Sequence, residues 1–144
     1  MPLPIPPGHH TITPGAVVKD AAAFLSFLED AFGFALVEKY DTPDGHVAHA
    51  EMRSGDSVFM FGESMGGFEP TRSMWSLYVD DVDAAYARAL AAGATSISAP
   101  ANQFYGHRSA RVADAFGNKW ALTAVVEEVS AEEIARRMAA MMGG

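Results

Sequence analysis

An internal repeat constrains this chain more than any other feature. Asp20 and Asp81 lie 61 positions apart. Each follows a valine and a charged residue, and each opens an alanine-rich stretch that runs to a glycine, Gly33 or Gly93. The offset returns where Ser57-Val58-Phe59-Met60-Phe61 falls on Asn118-Lys119-Trp120-Ala121-Leu122. An aspartate before such a run accepts from the free N–H groups of a first helical turn. Glycine supplies the left-handed conformation that ends a helix. Each copy thus reads as a strand, a capped helix and three further strands. A period of this length can mark an open array, but two copies of four strands predict a paired α+β domain closed on itself.

The strands come from alternation and turn chemistry. Residues 1–12 form an extended arm, because four prolines among the first seven residues forbid a helix. His9 and His10 are neighbours on that arm and point to opposite sides, which disfavours one shared metal ion. The first strand is expected at Thr11–Val18, with Pro14 placing it at an edge or an end. Phe24, Phe27, Leu28 and Ala31 then recur at helical spacing. Ala35–Tyr40, His46–Arg53 and Ser57–Phe61 follow as strands, the first two joined by the turn Thr42-Pro43-Asp44-Gly45. In His46–Arg53, alternation puts Ala48, Ala50 and Met52 on one face and Val47, His49, Glu51 and Arg53 on the other. His46 is read as solvent-facing.

Gly62–Ser73 links the copies. The second runs through Met74–Val79, Val82–Ala92 and a strand near Arg108–Ala113, then turns at Asp114-Ala115-Phe116-Gly117-Asn118. Between Pro100 and Arg108 an aromatic loop, Ala101 to His107, is placed to overhang a cavity. At the tail, Ser130 and Glu133 form a capping-box pattern in which each satisfies the other's free N–H donor. Ile134, Met138, Met141 and Met142 then make an apolar helical stripe, either packed on the chain's own sheet or used as a dimer contact.

The net charge of −8 argues against nucleic acid and anionic membrane surfaces. The absence of cysteine excludes disulfides and thiolate metal sites. No stretch reaches the roughly 20 apolar residues of a membrane span. The opening residues lack the basic and apolar regions of a signal peptide, so a cytoplasmic location is expected.

The paired βαβββ pattern resembles the vicinal oxygen chelate superfamily, which includes glyoxalase I, bleomycin-resistance proteins and extradiol dioxygenases. The resemblance covers roughly Thr11 to Val126. It is carried by Val79-Asp80-Asp81-Val82-Asp83-Ala84-Ala85, and by Phe104-Tyr105-Gly106-His107-Arg108 with the turn through Trp120. Ala115 departs from it, because the family usually has proline there. Gly8-His9-His10-Thr11-Ile12-Thr13-Pro14 and His49 to Ser57 are similar to the PhnB-like branch. The resemblance implies a single domain over residues 1–144. Module one covers about 11–62, module two about 74–126, and a C-terminal helix about 130–142. It implies a cup-shaped mixed sheet with helices outside and a small-molecule cavity inside.

In that superfamily's metalloenzymes, four histidine or glutamate ligands sit at positions that here are Thr13, Met60, Met74 and Ala121. Neither a hydroxyl with two thioethers nor a methyl replaces imidazole and carboxylate for a divalent ion. No metal or other cofactor is therefore expected. By the same geometry Met60, Met74, Ser76 and Tyr78 face the cavity, with Phe104, Tyr105, His107 and Arg108 added from the loop. Val58 is expected to face inward with Met60, and Trp120 to lie in the core. Arg108 and Arg111 are candidates for an anionic ligand, with Asp114 as an ordinary structural partner.

His49 and Glu51 share a strand face at a spacing that allows an acid–base pair. With His107 they would make a displaced three-ligand metal site. The plain alternative is a polar strand face with a local Glu51–Arg53 ion pair. Two functions follow. One is a metal-independent protein that binds a cationic or aromatic small molecule, as the bleomycin-resistance members do. The other is an enzyme of the same superfamily using His49 and Glu51 or non-standard ligands. A homodimer is expected, because family cavities are often completed by a partner chain.

Overall fold

A computed structural model describes residues 1–143. The chain order is β1 (Gly15–Val18), α1 (Ala21–Phe32), β2 (Ala35–Asp41), β3 (Val47–Ser54), β4 (Ser57–Glu63), β5 (Met74–Tyr78), α2 (Val82–Ala91), β6 (Thr95–Asn102), β7 (His107–Ala113), β8 (Lys119–Val125) and α3 (Ala131–Met142). The two expected βαβββ modules are present. Their strands form two four-stranded mixed sheets, ordered β1-β4-β3-β2 and β5-β8-β7-β6. Only the β1–β4 and β5–β8 pairs are parallel. The chain divides into two compact units. One holds Met1–Ser73 with Ala115–Asn118, the other Met74–Asp114 with the described residues from Lys119 onward.

In the first unit, Phe24, Phe27, Leu28 and Ala31 are the buried face of α1, as their spacing requires. Phe24 packs edge-on against Phe61 at 5.0 Å and lies 6.2 Å from Phe59, so the odd positions of β4 face the helix. Phe116 completes the cluster, its ring 5.1 Å from Phe24. Gly33 ends α1 in the left-handed region, φ 68°, donating to the carbonyls of Glu29 and Leu28. At the other end the Asp20 carboxylate accepts from Ala23 N–H. Asp20 itself sits at φ 61°, a conformation aspartate tolerates better than most residues. Glu63, at the end of β4, accepts from the N–H groups of both Asp20 and Ala21, at 2.7 and 3.0 Å.

Two expectations shift here. β1 begins at Gly15 rather than Thr11. Pro14 has no N–H for a ladder, and the Thr13 hydroxyl donates to the His10 carbonyl in a local turn. The alternation in β3 also changes parity at Ala48. Tyr40 pairs with His49 and Asp41 with Val47, which leaves Ala48 as a bulge. Val47 is consequently buried and Ala48 exposed, while Ala50 and Met52 stay buried as expected.

In the second unit, Asp81 caps α2 by accepting from Ala84 N–H. Trp120 is buried as expected, 4.8 Å from the Trp75 ring, and donates to the Asp114 carboxylate. The capping box at α3 is only half formed. Ser130 Oγ accepts from Glu133 N–H, but the Glu133 carboxylate turns to Arg136 and Arg137. Charge-assisted bonds to two guanidiniums outcompete one neutral backbone donor. These arginines hold the Glu133 carboxyl far below its ordinary range, at about 2. No α3 residue is buried, so the methionine stripe does not pack on a sheet. Arg137 ties the helix down, donating to the Phe104 carbonyl at 2.9 Å and to Glu127. Among the described residues no helix is long and apolar enough to cross a membrane.

Candidate functional site

Each sheet has one face under its helix and one open face, and the ladders say which residues share it. In the first unit Glu51 lies opposite Met60 and Arg53 opposite Val58, while Phe59 and Phe61 face α1. The open face therefore carries His49, Glu51, Arg53, Val58 and Met60. Its centre is Glu51. His49 Nε2 lies 2.9 Å from Oε2 and His9 Nε2 lies 3.2 Å from Oε1. The Glu51 and His9 side chains are only 14% and 15% exposed. The Tyr40 ring stacks along His49, and its hydroxyl donates to Glu38, which pushes the Tyr40 pKa up.

The arm that brings His9 is anchored by Val58 N–H donating to the Gly8 carbonyl at 2.8 Å. A contact between His10 Nε2 and the Asp56 carbonyl, at 3.1 Å, adds a second tie. The partner of Glu51 is thus a pair of imidazoles and not Arg53. His9, read from sequence as an arm residue, is part of the cluster. Nothing in local spacing signals this, because His9 and Glu51 meet only through tertiary structure.

In the second unit Ser76 lies opposite Ala121, Tyr78 opposite Thr123, and Ser109 opposite Thr123 on the other side. Met74 and Tyr78 are each 64% exposed on this open face. His107 joins it through Thr123 Oγ1, 3.3 Å from its Nδ1, and through edge-on contact with the Tyr78 ring at 6.1 Å. Tyr105 stands 5.1 Å from His107, and Phe104 5.2 Å from Tyr105. The expected residues Tyr78, Phe104, Tyr105 and His107 therefore meet in one chain of rings, beside Ser76 and Met74. Arg108 does not join them. It has the opposite strand parity, and its guanidinium is taken by Asp83 of α2 at 2.8 Å and by Asn102. That pair lowers the Asp83 pKa. Arg111, opposite Ala121, is the one of the two candidate arginines that belongs to the open face.

The four superfamily ligand positions do not fit a metal. The Thr13 hydroxyl is engaged by His10, Met60 and Met74 offer only thioethers, and Ala121 has no donor atom. Each member of the expected displaced set is engaged within its own unit. His107 is held by Thr123 and two tyrosines, and His9 and His49 take opposite oxygens of Glu51. Among the described residues no three His, Asp or Glu side chains are placed to hold an ion.

Paired βαβββ modules of this topology define a class of protein with two open sheet faces. Residues 8–122 match the Glyoxalase/Bleomycin resistance protein/Dioxygenase superfamily, and the chain belongs to it, within the vicinal oxygen chelate group. Uncharacterized proteins of Mycobacterium bovis and Mycobacterium tuberculosis are 35% identical over 144 aligned residues. The alignment covers 92% of this chain in both, with 95% of the first and 85% of the second. Among solved structures, TioX from Micromonospora sp. ML1 is similar with a TM-score of 0.69 and 24% identity, covering 81% of this chain and 99% of that one. A glyoxalase/bleomycin resistance protein/dioxygenase family enzyme from Burkholderia phytofirmans PsJN gives 0.64 and 23%, covering 78% and 95%. At those identities the likeness is one of fold.

Proposed function

We propose that the protein is a metal-independent binder of small molecules that sequesters an aromatic or cationic aromatic compound of the antibiotic kind. The observation that carries this is the run of rings from Tyr78 through His107 and Tyr105 to Phe104, with Thr123 touching His107. Rings give stacking surface, and the hydroxyls fix orientation. The carboxylates near the open faces are occupied, Glu51 by two histidines and Glu38 by Tyr40. A cationic ligand would accordingly be held by ring faces rather than by an acid. The test is a thermal-shift screen of aromatic and cationic antibiotics. Stabilisation should disappear in Tyr78→Ala and Tyr105→Ala variants whose own melting temperatures are nearly unchanged. Stabilisation that survives both substitutions sinks the reading.

A second reading, an enzyme, is favoured by the His49–Glu51 contact alone. An Nε2–H donated to Glu51 leaves Nδ1 with the lone pair of a general base. Conversion of a bound compound that is lost in His49→Ala and kept in Tyr78→Phe would select it. Either reading includes a homodimer, supported by the exposed Met138, Met141 and Met142 on α3. Light scattering that gives a monomer at micromolar concentration removes that part. A cytoplasmic location completes the reading and is checked by cell fractionation.

A further inference from the structure

The first unit carries a cavity of about 260 Å³. Lys19, Pro70, Thr71, Arg72, Ala115, Phe116 and Gly117 line it. The chain has 18 acidic and 10 basic residues, yet this lining holds two bases and no acid. The acids nearest to Lys19 are committed elsewhere. Asp20 caps α1 through Ala23 N–H, and Glu63 holds the N–H groups of Asp20 and Ala21. Among the described residues neither Lys19 nor Arg72 has an ion-pair partner.

The walls are fixed before any ligand arrives. Thr71 exchanges bonds with Val17, its N–H donating to the Val17 carbonyl at 2.9 Å and its hydroxyl accepting from Val17 N–H at 3.1 Å. That clamp sets the backbone before Arg72 against the strand that leads into Lys19, and Ser73 N–H, donating to Asn118 Oδ1 at 3.1 Å, ties the backbone after it. Gly117, at φ +93°, lies on the facing turn, where an added Cβ would make ordinary contact with the Thr71 carbonyl at 3.7 Å and Arg72 Cγ at 3.9 Å. Lys19 and Arg72 are both exposed on this lining, apart from their usual counter-ions, and together offer a receptor for negative charge. The guanidinium fork fits two oxygens of one anion, and the ammonium adds a point charge. The volume is below the roughly 300–1,000 Å³ of drug-sized sites, so the occupant is small.

We propose that this cavity binds a small doubly charged oxyanion, a phosphate group or a short dicarboxylate, between Lys19 and Arg72. It is independent of the ligand read for the ring cluster.

The test follows amide shifts of the full chain during titration with inorganic phosphate, with malonate, and with chloride at matched ionic strength. Phosphate or malonate should produce saturable shifts at Lys19, Arg72 and Gly117, and chloride should not. The tighter of the two identifies the source as phosphoryl or dicarboxylate. Lys19→Gln and Arg72→Gln should each weaken binding by about tenfold or more, in keeping with a charged hydrogen bond, with unchanged melting temperature in the absence of anion. Linear shifts shared by all three salts, or saturable binding that Arg72→Gln leaves intact, overturn the proposal.

Discussion

Removing the Phe116 ring tests whether the segment between β7 and β8 is an integral part of the first unit. Phe24 is fully buried, and its ring meets Phe61, Phe116 and Phe59 at 5.0, 5.1 and 6.2 Å. Truncating such a side chain costs about 3–5 kcal/mol. For a chain of this length that lowers the melting temperature by on the order of 10 °C. Phe116 is half-buried, so Phe116→Ala should cost about 2 kcal/mol, part of it in the two ring contacts to Phe24 and Phe27. In a double-mutant cycle by urea denaturation, the pair should lose about 0.5–1.5 kcal/mol less than the two single losses together. That difference is the worth of an edge-on ring pair. If Phe24→Ala leaves too little folded protein, Phe24→Leu serves in its place. Losses additive to within about 0.3 kcal/mol would mean that Phe116 does not lean on α1 in solution, and the packing argued here would be wrong.

Glu133 gives a pH dependence. Its folded pKa is depressed, so its contribution is present above the ordinary carboxyl value of 4.5 and is lost as pH falls through about 2. Amide exchange in α3 should rise across that window, and Glu133→Gln should remove the dependence. A profile indifferent to that substitution would count against the Arg136–Glu133–Arg137 ties. Glu63→Ala frees two N–H groups at the start of α1 and should cost about 1–2 kcal/mol, read by thermal denaturation; a change under about 0.3 kcal/mol would show water capping the helix equally well. Gly62→Ala and Gly106→Ala each drive a Cβ to 2.3 Å from a backbone carbonyl, of Ala48 and of Glu127. Both should destabilise more than Gly55→Ala, which meets nothing within 4 Å and carries only backbone strain. Equal losses in all three variants would refute the close approaches.

The modules were legible because the chain repeats its punctuation. Asp20 and Asp81, Gly33 and the turn at Gly45 mark element ends through local chemistry that survives in the fold. Much of what was missed lies where the copies differ. Glu63 falls on Ala124 at the repeat offset, and Phe116 falls on Gly55, so neither the second helix clamp nor the inserted ring has a counterpart to flag it. The open-face residues Met60, Met74, Ser76 and Tyr78 follow from strand parity and were readable. Arg108 was grouped with the aromatic loop, yet it lies on β7 with the opposite parity to His107 and is taken by Asp83, while Arg111, named beside it, is on the open face. His9 depends on where a proline-rich arm lands, and the sequence holds no local signal for that.

The surplus residue at Ala48 has an effect out of proportion to its size. Strict two-residue periodicity carried back from Met52 and Ala50 would turn position 46 toward the apolar interior and position 47 toward water. By absorbing one step, the kink instead seats a valine inside and leaves His46 outside, near Asp44 and Glu63. Pairing every residue in strict register, with no kink to take up the extra step, would force an imidazole into hydrocarbon, so the bulge itself is what keeps this strand's charge and apolar faces apart.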